Sequence, residues 1–176
     1  RRQRQMCIRD RNIDSMVNHY SVNKRRRDKD SYTDNGEMGK RPDRATIVYT
    51  QILKRLFPRV PILIGGIEAS LRRLAHYDYW DDKVRRSILM DSQADLLMFG
   101  MGENTIIEVA DALNSGLPVE NICYIRGTVW KTKTIDWIVD DYILLPDYET
   151  VRTDKYAYAK SFLTQYENQD AVNSKI

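Results

Sequence analysis

Thiols are nearly absent from this chain: of its 176 residues only Cys7 and Cys123 are cysteine. That excludes a disulfide framework. It also excludes an iron–sulfur cluster held by this chain alone, because a cluster takes three or four thiolates. Histidine is equally scarce, with His19 and His76 far apart in sequence, so no zinc-site spacing exists. There is no His-Glu-x-x-His, no Gly-x-Ser-x-Gly elbow and no phosphate-binding P-loop, which removes three common routes to hydrolysis or phosphoryl transfer. No run of 18 apolar residues occurs, which excludes a helical membrane span. Neither a repeat nor a low-complexity tract is present.

What is there suits one globular domain, with 42% hydrophobic and 30% charged residues. The net charge of +3 hints at an anionic partner, but it comes from residues 1–11, RRQRQMCIRDR. That segment has neither apolar periodicity nor a helix cap, and it resembles a translated sequencing adapter, so it is set aside from fold reasoning. Subtracting its five arginines and one aspartate from the totals of 28 and 25 leaves 23 basic against 24 acidic residues. No nucleic-acid partner is expected on charge grounds. With Cys7 set aside, Cys123 is alone, which fits a reducing, cytoplasmic setting.

Periodicity and turn signals give the organisation. Residues 12–23 read as a short helix capped by Asp14 or Ser15, with Met16, Val17 and Tyr20 on one side. The basic run at 24–30, KRRRDKD, is mixed with aspartate and reads as solvated surface, with an anion or RNA contact by Arg25, Arg26 and Arg27 as the alternative. Residues 31–43 are rich in turn formers. Asp43 is placed to cap a helix over 43–57, whose apolar stripe is Ala45, Val48, Ile52, Leu53 and Leu56. Val60-Pro-Ile-Leu-Ile64 and Ala94-Asp-Leu-Leu-Met-Phe99 read as buried strands of a parallel sheet. Between them a polar, aromatic connection with helical pieces is expected. A helix over 104–115, with Ile106, Ile107, Ala110 and Leu113 inward, ends at Gly116. Ile122–Ile125 reads as a third strand, and the alternation implies right-handed parallel crossovers. Beyond Gly127 the expectations are an exposed ribbon over Thr128–Lys133 and Trp137–Val139, then a strand at Tyr142–Leu145. A helix over 149–167 follows, with Val151, Tyr156, Ala159, Phe162, Leu163 and Tyr166 as its apolar side. The fold class is therefore α/β, Rossmann-like, a mostly parallel sheet with flanking helices and a small β and helical extension. Residues 12–127 form the first unit and 128–176 the extension.

Ligands of open parallel sheets bind outside the carboxyl ends of the strands. Both glycine motifs fall there: Gly65-Gly66 after one strand, Gly100-x-Gly102-Glu103 after the next. Glycine lets the backbone come close to a ligand or take positive φ, so Gly65, Gly66, Glu68, Gly100, Gly102 and Glu103 are candidate cofactor-binding residues. Simple turn chemistry, and for Glu103 a favourable interaction with the helix dipole, are the structural alternatives. Glu68 to Asp82 gathers acids, bases, one imidazole and three aromatic rings. Arg72, Arg73, His76, Tyr77 and Asp78 are candidates for substrate or interdomain contact. His76 and Asp78 are close enough in sequence to orient one another.

The segments GKRPDRATIVYTQ and VPILIGGIEASLRRLAHYDYWDDKVRRSILMDSQADLLMFGMGE resemble the N-terminal region of YgiQ-type radical SAM proteins, most densely over 38–116. The pattern Pro-(apolar)3-Gly-Gly, Ala-Asp-(apolar)4-Gly-x-Gly-Glu, helix, Gly-Leu-Pro-x-Glu-x-Ile is also similar to the cobalamin-binding-like domain before many radical SAM cores. The resemblance implies a downstream Cys-x3-Cys-x2-Cys motif, absent here, that holds a [4Fe–4S] cluster to cleave S-adenosylmethionine. The catalytic core is thus expected outside this chain, as the partner of this domain. The Asp-x-His-x2-Gly motif that supplies the lower ligand of cobalamin is absent too, since Asp78 follows His76 rather than preceding it. The resemblance implies that the first strands of the sheet are missing, leaving a hydrophobic edge and a poorly soluble fragment. Two other readings stand beside it: a free-standing module that binds a nucleotide or corrin, and an RNA-contacting surface on Arg25–Arg27 with Arg72 and Arg73.

Overall fold

The two longest apolar runs build the centre of a small sheet. The computed structural model describes residues 15–168 apart from 137, 139 and 140. Residues 1–14, with the expected cap Asp14, then Trp137 and Val139 of the expected ribbon, Asp140, and the last eight residues lie outside the described residues. α1 (Ser15–His19) and α2 (Ala45–Leu56) precede β1 (Leu63–Ile64) and α3 (Gly66–Leu71). β2 (His76–Asp78), β3 (Lys83–Arg85) and α4 (Ile88–Ser92) lead to β4 (Leu96–Met98), α5 (Glu103–Asn114) and β5 (Thr128–Val129). α6 (Tyr148–Thr153) and α7 (Lys155–Glu167) complete the order.

β1 runs parallel to β4, with Leu63 opposite Leu96 and Ile64 opposite Leu97. Asp95 fixes that register. Its amide donates to the Ile62 carbonyl (2.9 Å), and its carboxylate accepts from the Ile62 amide (2.7 Å) and the Lys54 ammonium (2.6 Å). Alternate side chains then serve two cores, as the strand period of two requires. Ile64 and Leu97 pack with Ala69, Ile88, Leu89, Ala94 and Phe99 on one face. Leu96 packs with Val109, Ala112, Ile122 and Ile125 on the other. The result is an α/β sheet covered on both sides, as in a Rossmann-like unit.

The third strand is not the expected one. Ile122–Ile125 is irregular: Ile122 and Ile125 are buried while Tyr124 between them is exposed, a turn-like spacing of three. Thr128–Val129 takes the strand position and pairs antiparallel with β4, Leu97 opposite Val129. The more apolar run serves as core filler, and the less apolar one completes the ladder. The polar connection before β4 holds an antiparallel hairpin, β2 with β3. Tyr142–Leu145, expected as a strand, is irregular and largely exposed.

The helices turn differently from expectation. Arg44, not Asp43, stands at the N-cap of α2, because the Asp43 carboxylate is spent on His19 and Tyr20. Ile52, Leu53 and Leu56 face solvent, while Thr50 is the buried position of α2. In α5 the buried residues are Thr105, Val109 and Ala112, and Ile107 and Ala110 are exposed. The Thr105 hydroxyl donates to the Arg126 carbonyl (3.2 Å), which helps set that rotation. α5 ends as its sequence indicates, at a left-handed Gly116 with φ +88°. The expected helix over 149–167 is two helices. Asp154 is extended at the break, and its carboxylate accepts from the Tyr156 amide (2.8 Å); aspartate caps better than it sits mid-helix.

Candidate functional site

Parallel pairing of β1 and β4 brings both glycine motifs to one sheet edge. Gly66 and Gly100 have φ of +83° and +72°, a region costly for residues with a Cβ. Ser70 on α3 fastens the two loops together: its hydroxyl donates to the Gly66 carbonyl (2.9 Å) and accepts from the Gly100 amide (3.2 Å). Gly102 stands at the N-cap of α5, and a Cβ built there would meet nothing within 4 Å. Glu103 is exposed in the first turn of that helix. Gly65 is extended, its Cβ position in ordinary contact with Met98 at 3.6 Å.

Below this edge Glu68 is buried, accepting from the Thr46 hydroxyl (2.5 Å) and the Arg72 guanidinium (3.4 Å). It ties α3 to α2. Arg73 reaches the glycine edge itself. It donates to the Ser70 carbonyl (2.6 Å) and lies over the Phe99 ring, 4.8 Å from the centroid. Burial pushes the Arg73 guanidinium below its ordinary value.

The remaining candidates sit on the hairpin. Asp78 is buried, 2.5 Å from Arg44 and 2.8 Å from Arg85. Asp81 joins the same pair at 3.1 and 2.6 Å. The contacts to Asp78 Oδ2 are close charge pairings rather than aligned hydrogen bonds. Burial alone would raise the Asp78 pKa, but the Arg44 charge and the Trp80 amide together hold it below the ordinary carboxylate value. His76 is held down by burial, and its Nδ1 lies 3.1 Å from the Leu74 carbonyl. His76 and Asp78 therefore spend their hydrogen bonds on other groups instead of orienting one another. Tyr77 is exposed; its hydroxyl donates to Asp82, which raises the phenol, and its amide donates to the Tyr158 hydroxyl (3.2 Å).

One polar cluster escaped the sequence reading. His19 is buried with Nε2 at 3.0 Å from Asp30 and Nδ1 at 2.7 Å from Asp43. Arg41 grips Asp30 with two donors, at 2.7 and 2.8 Å, and the Tyr32 amide adds a third (3.0 Å). The Arg41 guanidinium holds the Asp30 carboxyl down at about 2. Burial, then the Asp43 charge, pushes the Tyr20 phenol up. Tyr20 in turn packs on Trp80, with ring centroids 5.6 Å apart. This network fastens the arm from Ser15 to Asp43 onto the hairpin. Its signal was an aspartate at the end of a basic run, a pattern that solvated surfaces share.

Among the described residues the donor set does not fit a cluster or a metal. Cys123 is the one free cysteine among the described residues, and none of those residues gather three metal-ligating side chains. No described helix is long and apolar enough to cross a membrane.

The chain matches the family described as Radical SAM N-terminal over residues 3–176. It is 55% identical over 164 residues to a UPF0313 protein of Clostridium perfringens (strain SM101), covering 93% of this chain and 25% of the relative. A UPF0313 protein of Clostridium botulinum (strain Okra) is 52% identical over the same share of each. The chain thus spans about a quarter of the length of the curated relatives it matches. No solved structure matches it. This α/β unit, with its glycine-edged sheet and no thiolate set of its own, belongs to the Radical SAM N-terminal family.

Proposed function

We propose that this region is the accessory module of a radical SAM enzyme, docked against a catalytic portion that carries the cluster and S-adenosylmethionine. The observation that carries the reading is an outward-facing apolar stripe on α7. Tyr156, Phe162, Leu163 and Tyr166 are exposed, while Ser161 is the buried residue of that helix. A helix that buries a serine and presents aromatic rings is built for a second partner. Tyr49, Ile52, Leu53 and Leu56 of α2 form a similar exposed face. The greater length of the relatives, of which this chain covers 25%, is consistent with such a partner lying within the same polypeptide. The cluster would supply reductive cleavage of S-adenosylmethionine; this chain supplies shape, the glycine edge and the docking faces. We place the protein in the cytoplasm, where free thiols such as Cys123 persist.

The test is to purify the full-length protein anaerobically, reconstitute it with iron and sulfide, and reduce it with S-adenosylmethionine present. Formation of 5′-deoxyadenosine is expected, and a reconstituted protein that neither binds a cluster nor cleaves the cofactor refutes the assignment.

A further inference from the structure

Five arginines are half-buried among the described residues: Arg41, Arg44, Arg72, Arg73 and Arg85. Four of them have carboxylate partners. Arg41 pairs with Asp30, Arg44 with Asp78, Arg72 with Glu68, and Arg85 with Asp78 and Asp81. That is the ordinary solution, since a charge taken partly out of water needs a counter-charge. Arg73 breaks the rule. Among the described residues its contacts are one carbonyl, Ser70, and one ring face, Phe99. A guanidinium has five N–H donors in a rigid fork, and one carbonyl leaves most of the fork unused.

Its position gives this meaning. Ser70 and Phe99, which hold the guanidinium, also hold the glycine loops: Ser70 bonds Gly66 and Gly100, and Phe99 directly precedes Gly100. Arg73 therefore stands at the carboxyl edge of the β1–β4 pair, where open sheets take ligands. At that edge Gly66 and Gly100 have no side chain to obstruct an approach, and the Gly102 Cβ position opens on empty space. Packing on an aromatic face orients an arginine without neutralising it.

We propose that Arg73 is the anchor of an oxyanion-binding site at the glycine edge, taking a carboxylate or phosphate group of a small-molecule ligand. The missing counter-charge is the ligand's. Other edge residues shape the approach, while Glu68 lies beneath and is spent on Thr46 and Arg72. The site does not depend on the radical SAM reading, because it uses only residues of this chain.

Isothermal titration of the full-length protein at fixed ionic strength tests it, with sodium pyrophosphate in one arm and sodium succinate in the other. Saturable one-to-one binding in at least one arm is expected, and the responding arm identifies the oxyanion. Arg73→Gln weakens that binding about 10- to 100-fold, the loss expected for charge-assisted hydrogen bonds. Arg73→Lys keeps the charge but not the fork and weakens it less. Arg59→Gln, an exposed arginine before the opposite end of β1, leaves it unchanged. Circular dichroism confirms that each variant is folded; should Arg73→Gln unfold, Arg73→Lys alone carries the comparison. No saturable binding in either arm overturns the proposal, as does binding that the Arg73 variants leave intact or that Arg59→Gln reduces equally. The readout is anion binding, so such a failure leaves cofactor cleavage by the same protein unaffected.

Discussion

Replacing Asp30 by asparagine removes the charge at the centre of the arm while leaving its shape. The Asp30 carboxylate is fully buried. Around it stand Arg41 with two donors, His19 Nε2 and the Tyr32 amide, all within 3.0 Å. Breaking a buried pair by removing one partner costs about 3–5 kcal/mol, since the other charge is left uncompensated. Amide hydrogen exchange of the arm in the full-length protein reads this directly, because Arg27 N–H bonds the His19 carbonyl and Met16 N–H the Asp43 carbonyl. Those amides are expected to exchange at least a hundredfold faster in Asp30→Asn, about 1.4 kcal/mol corresponding to each factor of ten. The pH dependence follows from the carboxyl value of about 2 in the folded arm against 3.8 ordinarily. A depressed value stabilises the fold above the ordinary value and loses that effect as pH falls towards the folded one. The contribution is about 2 kcal/mol near neutrality and fades between pH 4 and 2. The gap between wild type and Asp30→Asn should therefore narrow over that window. Exchange rates within threefold of wild type at pH 7, or a gap that ignores pH below 4, refute the reasoning.

Two further outcomes follow from the same geometry. Leu97→Ala empties a fully buried position between β1 and β5 and should lower unfolding stability by about 2–5 kcal/mol in denaturant titration. Ser70→Ala cuts both bonds that fasten the glycine loops; a loss of about 1–2 kcal/mol and faster exchange at the Gly100 amide are expected, with the rest of the sheet unchanged.

Much of the sheet was legible because its strands are the two runs, ending at Ile64 and Phe99, that are apolar on both faces. Parallel pairing then follows from the intervening crossover, and with it the meeting of Gly65-Gly66 and Gly100-Gly102 at one edge. The third strand was not legible, since Ile122–Ile125 carries a stronger apolar signal than Thr128–Val129 and only the three-dimensional register separates ladder from filler. Helical stripes in α2 and α7 were visible as stripes. Their outward direction was not, because periodicity shows that a face is apolar without saying what covers it. The His19 network depends on partners 11 and 24 residues away, and the Arg44–Asp78 pairing joins a helix to a hairpin that no local pattern announces. Arg73 was marked by its company in the sequence, but its lack of a carboxylate could be seen only once the other four arginines had found theirs.

The docking of α7 is the central claim, and hydroxyl-radical footprinting of the full-length protein measures it most directly. In this chain Tyr156, Tyr166 and Tyr124 are 88%, 63% and 65% exposed, so Tyr124 serves as an internal reference. If the catalytic portion covers the stripe, Tyr156 and Tyr166 are modified far more slowly than Tyr124. Equal modification of all three would contradict the account.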